Sequence, residues 1–146
     1  MKQKPIRVPY GLSLHGQEEI DAVVEVLRGN TAFGKRGKSF EEKIAKLFGK
    51  KFGIMVNSGS SANLLALEIL DLPEGSEVIT PVLTFATTVA PLLMKRFKPV
   101  FVDVEEGTYI LDINQVERAI TRKTRALMVP SLIGNVPDYA KLSALA

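Results

Sequence analysis

The fold of this chain is constrained above all by short continuous apolar runs that alternate with segments of helical periodicity. The runs, predicted as strands, lie at residues 52–56, 77–80, 100–104 and 126–130, and helices are predicted between and after them at 60–70, 87–96, 113–120 and 139–146. Runs that do not alternate with polar residues are typical of strands covered on both faces. The order of elements therefore predicts an α/β fold with a mostly parallel sheet and crossover helices.

The first third of the chain is predicted to be helical. Residues 17–27 carry apolar side chains at helical spacing, and Gly29 follows as a helix-ending residue. Ser39 and Glu42 have the spacing of a capping box, which predicts that a second helix starts at Ser39. The glycine-bearing basic stretch at 31–38 is predicted to be a loop that either holds an anion or is simply solvated.

The composition excludes several classes of site. Of the 146 residues, 46% are hydrophobic, which is enough for one compact domain with a core. The absence of cysteine excludes disulfides and thiolate metal sites, and a single histidine, His15, excludes a multi-histidine metal site. The net charge of +3 comes from basic residues spread along the chain, which does not indicate nucleic-acid binding. No apolar run reaches membrane-spanning length and no signal-like core follows Met1, so we expect a cytoplasmic protein.

Residues 57–61 join a predicted strand to a predicted helix through the sequence Asn-Ser-Gly-Ser-Ser. Gly59 permits a tight backbone turn. The serines around it, Ser58, Ser60 and Ser61, favour a helix start. The first N–H groups of a helix lack intrahelical partners and carry the positive end of the helix dipole, so they could bind a phosphate. The spacing leaves a second interpretation open, which is a serine-capped helix whose free N–H groups face water.

Ligands of open parallel sheets gather outside the carboxyl ends of the strands. That rule marks a working edge formed by residues 57–61, 81–88, 103–108 and 131–137. Phe85 lies among hydroxyl residues in the second segment, where an aromatic ring could stack on a flat cofactor. The alternative is that Phe85 anchors the core. Asp103 could bind a ribose or a ring nitrogen, or could serve as a cap or turn residue.

Three motifs that bind nucleotides or activate a serine fail at this turn. A dinucleotide-binding fingerprint needs further glycines at fixed spacing after Gly59, and a P-loop needs Gly-Lys-Ser/Thr at a fixed distance after its first glycine; neither follows Gly59. A nucleophile elbow requires glycine where Asn63 stands and a histidine after the serine, whereas His15 precedes the whole region. The sequence therefore argues against a serine hydrolase.

Four segments stand out when they are considered together: residues 57–64 (NSGSSANL), 80–88 (TPVLTFATT), 99–104 (PVFVDV) and 132–135 (LIGN). They resemble the DegT/DnrJ/StrS family of nucleotide-sugar aminotransferases and dehydratases, which use pyridoxal 5′-phosphate (PLP). The resemblance runs from about residue 8 to the last residue. It looks most like the 3-dehydratases that act on 4-keto-6-deoxyhexoses attached to CDP or GDP.

The resemblance implies part of a fold-type I PLP-transferase large domain, incomplete in this chain. Residues 1–51 would be an amino-terminal helical segment, and residues 52–146 would be the first part of the PLP-binding large domain. In that fold the first strand pairs with a later one, which would lie beyond Ala146, so residues 52–56 would lack their partner. Unpaired buried backbone groups cost about 1–3 kcal/mol each. We therefore expect the isolated chain to be poorly stable.

The resemblance also implies roles for two groups of residues. Gly59, Ser60 and Ser61 would give backbone N–H groups and a hydroxyl to the PLP phosphate. Phe85 would stack on the pyridine ring. Residues near the nucleotide-sugar substrate would be Gly29, Asn30, Thr31 and Ala32. Because sites of this family form at a subunit interface, the resemblance also implies a homodimer.

No catalytic residue is assigned within the chain. PLP chemistry needs an acid opposite the pyridine nitrogen, and a lysine in aminotransferases or a histidine in dehydratases facing the cofactor. The resemblance places all of these beyond Ala146, and lysines such as Lys43 and Lys95 lie on polar faces. We therefore expect the amino-terminal part of a longer PLP-dependent enzyme that acts on a nucleotide-linked keto-sugar in deoxysugar or polysaccharide biosynthesis. The alternative is a non-catalytic remnant or partner protein that keeps the fold without the chemistry.

Overall fold

The computed structural model describes residues 11–146, and its contacts divide the chain into two compact units between Met55 and Val56. Within the described residues, no helix combines the length and the apolar character needed to cross a membrane. Acidic, histidine and cysteine side chains in that range do not gather into a group that could hold a metal ion.

The first unit contains two helices in its described part, α1 (Gln17–Arg28) and α2 (Lys35–Leu47). The N–H of Gly16, which precedes α1, donates to the Glu19 carboxylate at 2.6 Å. The helix ends at Gly29, as the sequence predicts. None of its residues is buried, so the apolar stripe of α1 stays uncovered.

The start of α2 differs from the prediction. The helix begins at Lys35, so Ser39 lies inside it and does not cap it. Lysine and arginine are good helix formers, and they extend the helix by a turn ahead of Ser39. A Cβ at Gly37 would lie 2.5 Å from the Phe33 ring, which is exposed and would have to move aside.

The second unit is a parallel α/β structure. Its elements are α3 (Gly59–Ile69), β1 (Glu77–Pro81), α4 (Ala86–Met94), β2 (Lys98–Val102), α5 (Ile113–Ala119), β3 (Thr124–Leu127) and α6 (Tyr139–Leu145), with a short 3-10 turn at Leu132–Gly134. The strand order is β2-β1-β3, and β1 pairs in parallel with both neighbours. The predicted α/β class and parallel sheet are confirmed, and the predicted ends of these helices and strands lie within three residues of the observed ones.

The sheet is covered on both faces, as the continuous apolar runs predict. Ile79 of the central strand belongs to a core cluster with Val116 of α5 and Leu142 of α6. Its neighbour Val78 belongs to a second cluster, together with Leu67 of α3 and Leu92 of α4. Successive residues of a strand point to opposite faces, so the sheet has an α5/α6 face and an α3/α4 face.

Glu77 ties the three strands together at their amino ends. Its buried carboxylate accepts hydrogen bonds from Lys98 Nζ at 3.0 Å and from Thr121 Oγ1 at 2.5 Å. Lys98 begins β2, and Thr121 lies in the turn that leads into β3. The Thr121 hydroxyl, followed by the Lys98 ammonium, holds the pKa of Glu77 below its ordinary value, so the carboxylate stays charged.

The prediction of a strand at residues 52–56 was wrong. The structure has no strand at residues 52–56, and Phe52 and Ile54 are 75% and 66% exposed. An extended apolar segment becomes a strand only where a neighbouring strand exchanges backbone hydrogen bonds with it. Here the Met55 N–H donates instead to the Glu41 carboxylate of α2, at 2.8 Å.

Candidate functional site

The helices of the second unit all start at the carboxyl edge of the sheet. Three of them, α4, α5 and α6, each follow a strand, and α3 leads into β1, so all four run against the parallel strands. The first N–H groups of a helix need partners from outside the helix. The two faces of the sheet supply those partners differently.

At the start of α3, the serine turn satisfies only part of its own backbone. Ser58 is the N-cap, and its hydroxyl accepts from the Ser61 N–H at 3.1 Å. The Ser61 hydroxyl donates to Asn57 Oδ1 at 2.6 Å. Within residues 11–146, no acceptor meets the N–H groups of Gly59 and Ser60. The serine-capped interpretation thus holds for one N–H group, while two others are open to an anion.

Gly59 does not make the tight turn that the sequence predicts. It is the first residue of α3, and its φ lies outside the left-handed region that favours glycine. A Cβ at Gly59 would meet no protein atom within 4 Å. Glycine therefore provides open space beside the free N–H groups, which lets a ligand approach the backbone closely.

Phe85 is exposed among the described residues, which argues against the core-anchor interpretation. The residue is the N-cap of α4, and 72% of its surface is open. A phenyl ring is not a side-chain acceptor for helix N–H groups, so α4 starts without a side-chain cap. The Thr84 hydroxyl donates to Thr88 Oγ1 at 2.9 Å and steadies the turn that carries the ring.

One hydrogen bond brings the α3 turn and the Phe85 turn together. Asn63 Nδ2, on the second turn of α3, donates to the carbonyl oxygen of Thr87 at 3.2 Å. Since Thr87 closely follows Phe85, the free N–H groups and the exposed ring lie at neighbouring helix starts. No sequence motif assigned a role to Asn63. The signal that could have found it is an asparagine inside a helix, where its propensity is poor.

The helices on the opposite face close their starts with their own carboxylates. Asp112 caps α5 by accepting from the N–H groups of Asn114 at 2.9 Å and Gln115 at 3.4 Å. Asp138 caps α6 by accepting from the Lys141 N–H at 3.0 Å. The Gln115 side chain holds the pKa of Asp112 below its ordinary value, and the Lys141 N–H lowers the pKa of Asp138. These starts offer little to an added anion.

Asp103 stabilises the turn after β2 through two hydrogen bonds that involve backbone N–H groups. Its carboxylate accepts from the Val104 N–H at 2.8 Å, and its own N–H donates to Gln115 Oε1 at 3.0 Å. These contacts support the turn interpretation of Asp103. Nearby, Asn135 Nδ2 donates to the carbonyl oxygen of Thr108 at 2.6 Å and joins the loops that follow β2 and β3.

The four residues expected near the substrate lie in the first unit, after α1. Gly29 is the C-cap of α1, and Asn30 Oδ1 accepts from the Ala32 N–H at 2.9 Å. All four line a cavity of about 650 Å³. Its wall includes Arg36, which pairs with Glu25 at 2.6 Å. The volume falls in the range of small-molecule sites.

The sequence matches the model of the DegT/DnrJ/EryC1/StrS aminotransferase family over residues 14–146. A dTDP-4-dehydro-2,6-dideoxy-D-glucose 3-dehydratase of Saccharopolyspora spinosa is 40% identical over 139 residues, which cover 90% of this chain and 30% of that protein. A solved GDP-4-keto-6-deoxymannose-3-dehydratase with a trapped PLP-glutamate geminal diamine has a TM-score of 0.89 at 32% identity, covering 95% of this chain and 38% of that one. A putative sugar aminotransferase from Streptococcus pneumoniae, in its PMP form, has a TM-score of 0.86 at 28% identity, covering 95% and 35%.

The chain spans only about a third of the length of these relatives. Within that third, the match includes the α3 turn, the Phe85 turn and all three strands. The resemblance carried by the four sequence segments is therefore confirmed. This chain belongs to the DegT/DnrJ/EryC1/StrS aminotransferase family.

Proposed function

We propose that this chain forms the phosphate-binding and ring-stacking part of a PLP-dependent enzyme that acts on a nucleotide-linked keto-sugar. The observation that carries the proposal is the pair of free N–H groups at Gly59 and Ser60 beside the exposed Phe85 ring. The hydrogen bond from Asn63 to Thr87 joins these two features. The family match supports the proposal, as does the similarity to a dehydratase solved with a PLP-glutamate adduct.

The α3 turn fits a phosphate group. Neighbouring N–H groups at a helix N-terminus suit phosphate oxygens, and the open space at Gly59 lets the anion come close. Ser60 adds a hydroxyl that makes no hydrogen bond within the described residues. Ser61 contributes less than expected, because its N–H and hydroxyl are engaged by Ser58 and Asn57.

Phe85 fits the aromatic part of the cofactor. When bound, PLP supplies an electron sink for chemistry next to a sugar carbonyl. The residues of this chain bind and orient it: the α3 turn holds the phosphate, and Phe85 covers one face of the ring and excludes water from that face. We assign no proton-transfer role to the described residues.

The cavity of the first unit is proposed as part of the nucleotide-sugar site. Its wall combines backbone groups of the loop after α1 with the side chains of Lys35 and Arg36. Arg36 is already paired with Glu25, so Lys35 is the cation on this wall without an ion pair among the described residues, and a cation beside a cavity of about 650 Å³ suits the diphosphate of such a substrate. Addition of a nucleoside diphosphate should slow amide hydrogen exchange in residues 29–37, and unchanged exchange there would contradict this assignment.

The proposal covers two reaction types and a dimer. Relatives named as a 3-dehydratase and as a putative sugar aminotransferase both match this chain. The resemblance assigns the deciding lysine or histidine to a position after Ala146, so that residue in the complete protein decides the reaction. The homodimer implied by the resemblance is tested by sedimentation of the complete protein.

Titration with PLP tests the proposal. Binding to the purified complete protein is followed by cofactor absorbance. Phe85→Ala should weaken binding about three- to tenfold, since an aromatic contact contributes about 0.5–1.5 kcal/mol beyond area burial. The matched control is Phe48→Ala, because Phe48 is 69% exposed and lies at the end of α2. If the native protein does not bind PLP, the alternative of a non-catalytic protein replaces the proposal.

A further inference from the structure

We propose that Asn63 is a positioning residue that sets the distance between the α3 phosphate turn and the Phe85 ring, an inference that rests on the proposed function. Its Nδ2 donates to the carbonyl oxygen of Thr87 at 3.2 Å, and the contact is partly buried. In residues 11–146 this is the only hydrogen bond that joins the starts of α3 and α4. The two parts that the cofactor must contact at once are thus linked through one side chain.

The other hydrogen bonds of the Phe85 turn do not fix it relative to α3, while farther along the two helices Leu67 and Leu92 share a buried cluster. The ring is 72% exposed and α4 has no side-chain cap. The hydrogen bond from Thr84 to Thr88 and the one from the Thr88 N–H to the Phe85 carbonyl both lie within the turn itself. These bonds shape the turn, whereas Asn63 connects it to the neighbouring helix.

The residue type at position 63 points the same way. Asparagine is a poorer helix former than alanine or leucine, because its side chain competes for backbone hydrogen bonds. The residues that follow in α3 are mostly leucine and alanine. A polar side chain that weakens its own helix is accounted for when it makes a bond to the next helix.

A second bond between the same two helices provides a control. Lys95 Nζ, at the end of α4, lies 2.7 Å from Glu68 Oε2 near the end of α3. Both helices end at the amino edge of the sheet, so this ion pair is remote from the candidate site. Lys95→Met removes one tie between the helices without altering the tie at their starts.

The test compares two ligands on the complete protein. PLP needs both the α3 turn and the Phe85 ring, whereas inorganic phosphate needs only the turn. Asn63→Leu should weaken PLP binding about three- to tenfold, the effect of one neutral hydrogen bond, and leave the affinity for inorganic phosphate unchanged. Asn63→Ala should do the same while favouring the helix, which guards against a folding defect. Lys95→Met should change neither affinity.

Each other outcome overturns the inference. Native PLP affinity in both Asn63 variants would show that the contact does not position the ring, and the proposed function would stand. An equal loss of PLP and inorganic phosphate would show that Asn63 only supports the α3 turn. An equal loss of PLP affinity in Lys95→Met would show a general effect of helix packing. Failure of the native protein to bind PLP would remove the proposed function as well.

Discussion

Both faces of the sheet are covered by two helices, but the N-termini of these helices are capped by different groups on the two faces. On the α5/α6 face, the caps are negatively charged: the Asp112 carboxylate accepts from two N–H groups of α5, and the Asp138 carboxylate accepts from one N–H group of α6. On the α3/α4 face, Ser58 covers one N–H group and Phe85 covers none. All four helices present the same end of their dipole at this edge. The chain supplies its own anions on the α5/α6 face and leaves the α3/α4 face open. An added anion is therefore expected to bind at this edge only on the α3/α4 face.

The largest expected effect is a loss of stability from core substitutions, which should be similar on the two faces of the sheet. Leu92 and Leu111 are both buried, on the α3/α4 face and the α5/α6 face respectively. Each change to alanine should lower the free energy of unfolding by about 2–5 kcal/mol, because it leaves a cavity. Urea denaturation measures both. A large loss from only one of them would show that the faces differ in packing as well as in their helix starts.

Closing the open start should move binding and stability in opposite directions. Ser60→Asp places a carboxylate where the phosphate would bind, and like charges about 4 Å apart repel by up to about 4 kcal/mol near a protein surface. PLP affinity should fall at least about 100-fold, while the cofactor-free protein gains about 0.3–1 kcal/mol from the helix dipole. Titration and thermal melting measure the two effects, with Ser60→Asn as the neutral control. A fall in both quantities would contradict the prediction.

Acid should weaken the helix caps made by the Asp112 and Asp138 carboxylates and leave the serine cap of α3 unchanged. The pKa of Asp112 is lowered in the folded state by the Gln115 side chain and by backbone N–H groups, so folding favours the charged form. Its contribution is therefore complete above the ordinary pKa of about 3.9 and is lost as the pH falls through the lowered value. Asp112→Asn keeps a cap that does not titrate.

The unfolding free energy of Asp112→Asn should therefore fall less steeply with acid than that of the native protein, as measured in urea between about pH 5 and pH 2. Ser58→Ala serves as the control, since a hydroxyl does not titrate in this range and the slope should match the native one. Equal slopes for Asp112→Asn and the native protein would show that the Asp112 cap is not linked to pH.

The smallest effect concerns one hydroxyl on the α3/α4 face. Thr80 Oγ1 is buried and has no hydrogen-bond partner among the described residues. Thr80→Val should therefore raise the free energy of unfolding by about 1 kcal/mol, whereas Thr88→Val, which removes a satisfied hydroxyl, should lower it by about 1 kcal/mol. Thermal melting of the two variants measures the difference. A loss of stability in Thr80→Val would show that its hydroxyl is hydrogen-bonded in solution.

The sequence predicted what depends on local pattern. The helices and strands of the second unit follow from periodicity, because both faces of the sheet are covered within the chain. The helix predicted at 113–120 begins at Ile113, and the Asp112 cap found there involves Gln115, a contact between near neighbours. The phosphate-turn residues Gly59 and Ser60 were selected by the same local reasoning, and their role stays a prediction.

What the sequence did not predict depends on contacts far along the chain. Residues 52–56 have the apolar character of a strand, yet a strand also needs a partner that local pattern cannot supply. The exception is local: Ser39 has the spacing of a helix cap, but the helix-forming residues just before it moved the start to Lys35. The Asn63 contact spans 24 residues, so the local pattern can mark this asparagine as unusual inside a helix but cannot identify its partner.

Glu77 also contributes to the alignment of the strands, at the point where the β1–β3 register shifts between Glu77 and Val78. Parallel strands are connected by long crossovers, so no hairpin turn sets which residues face each other. A single carboxylate that contacts Lys98 and Thr121 gives all three strands a common reference point. A slip of one residue would reverse every side chain of a strand and separate this charge from its partners. Because these contacts lie at the amino ends of the strands, changes in the loops at the carboxyl edge leave them intact.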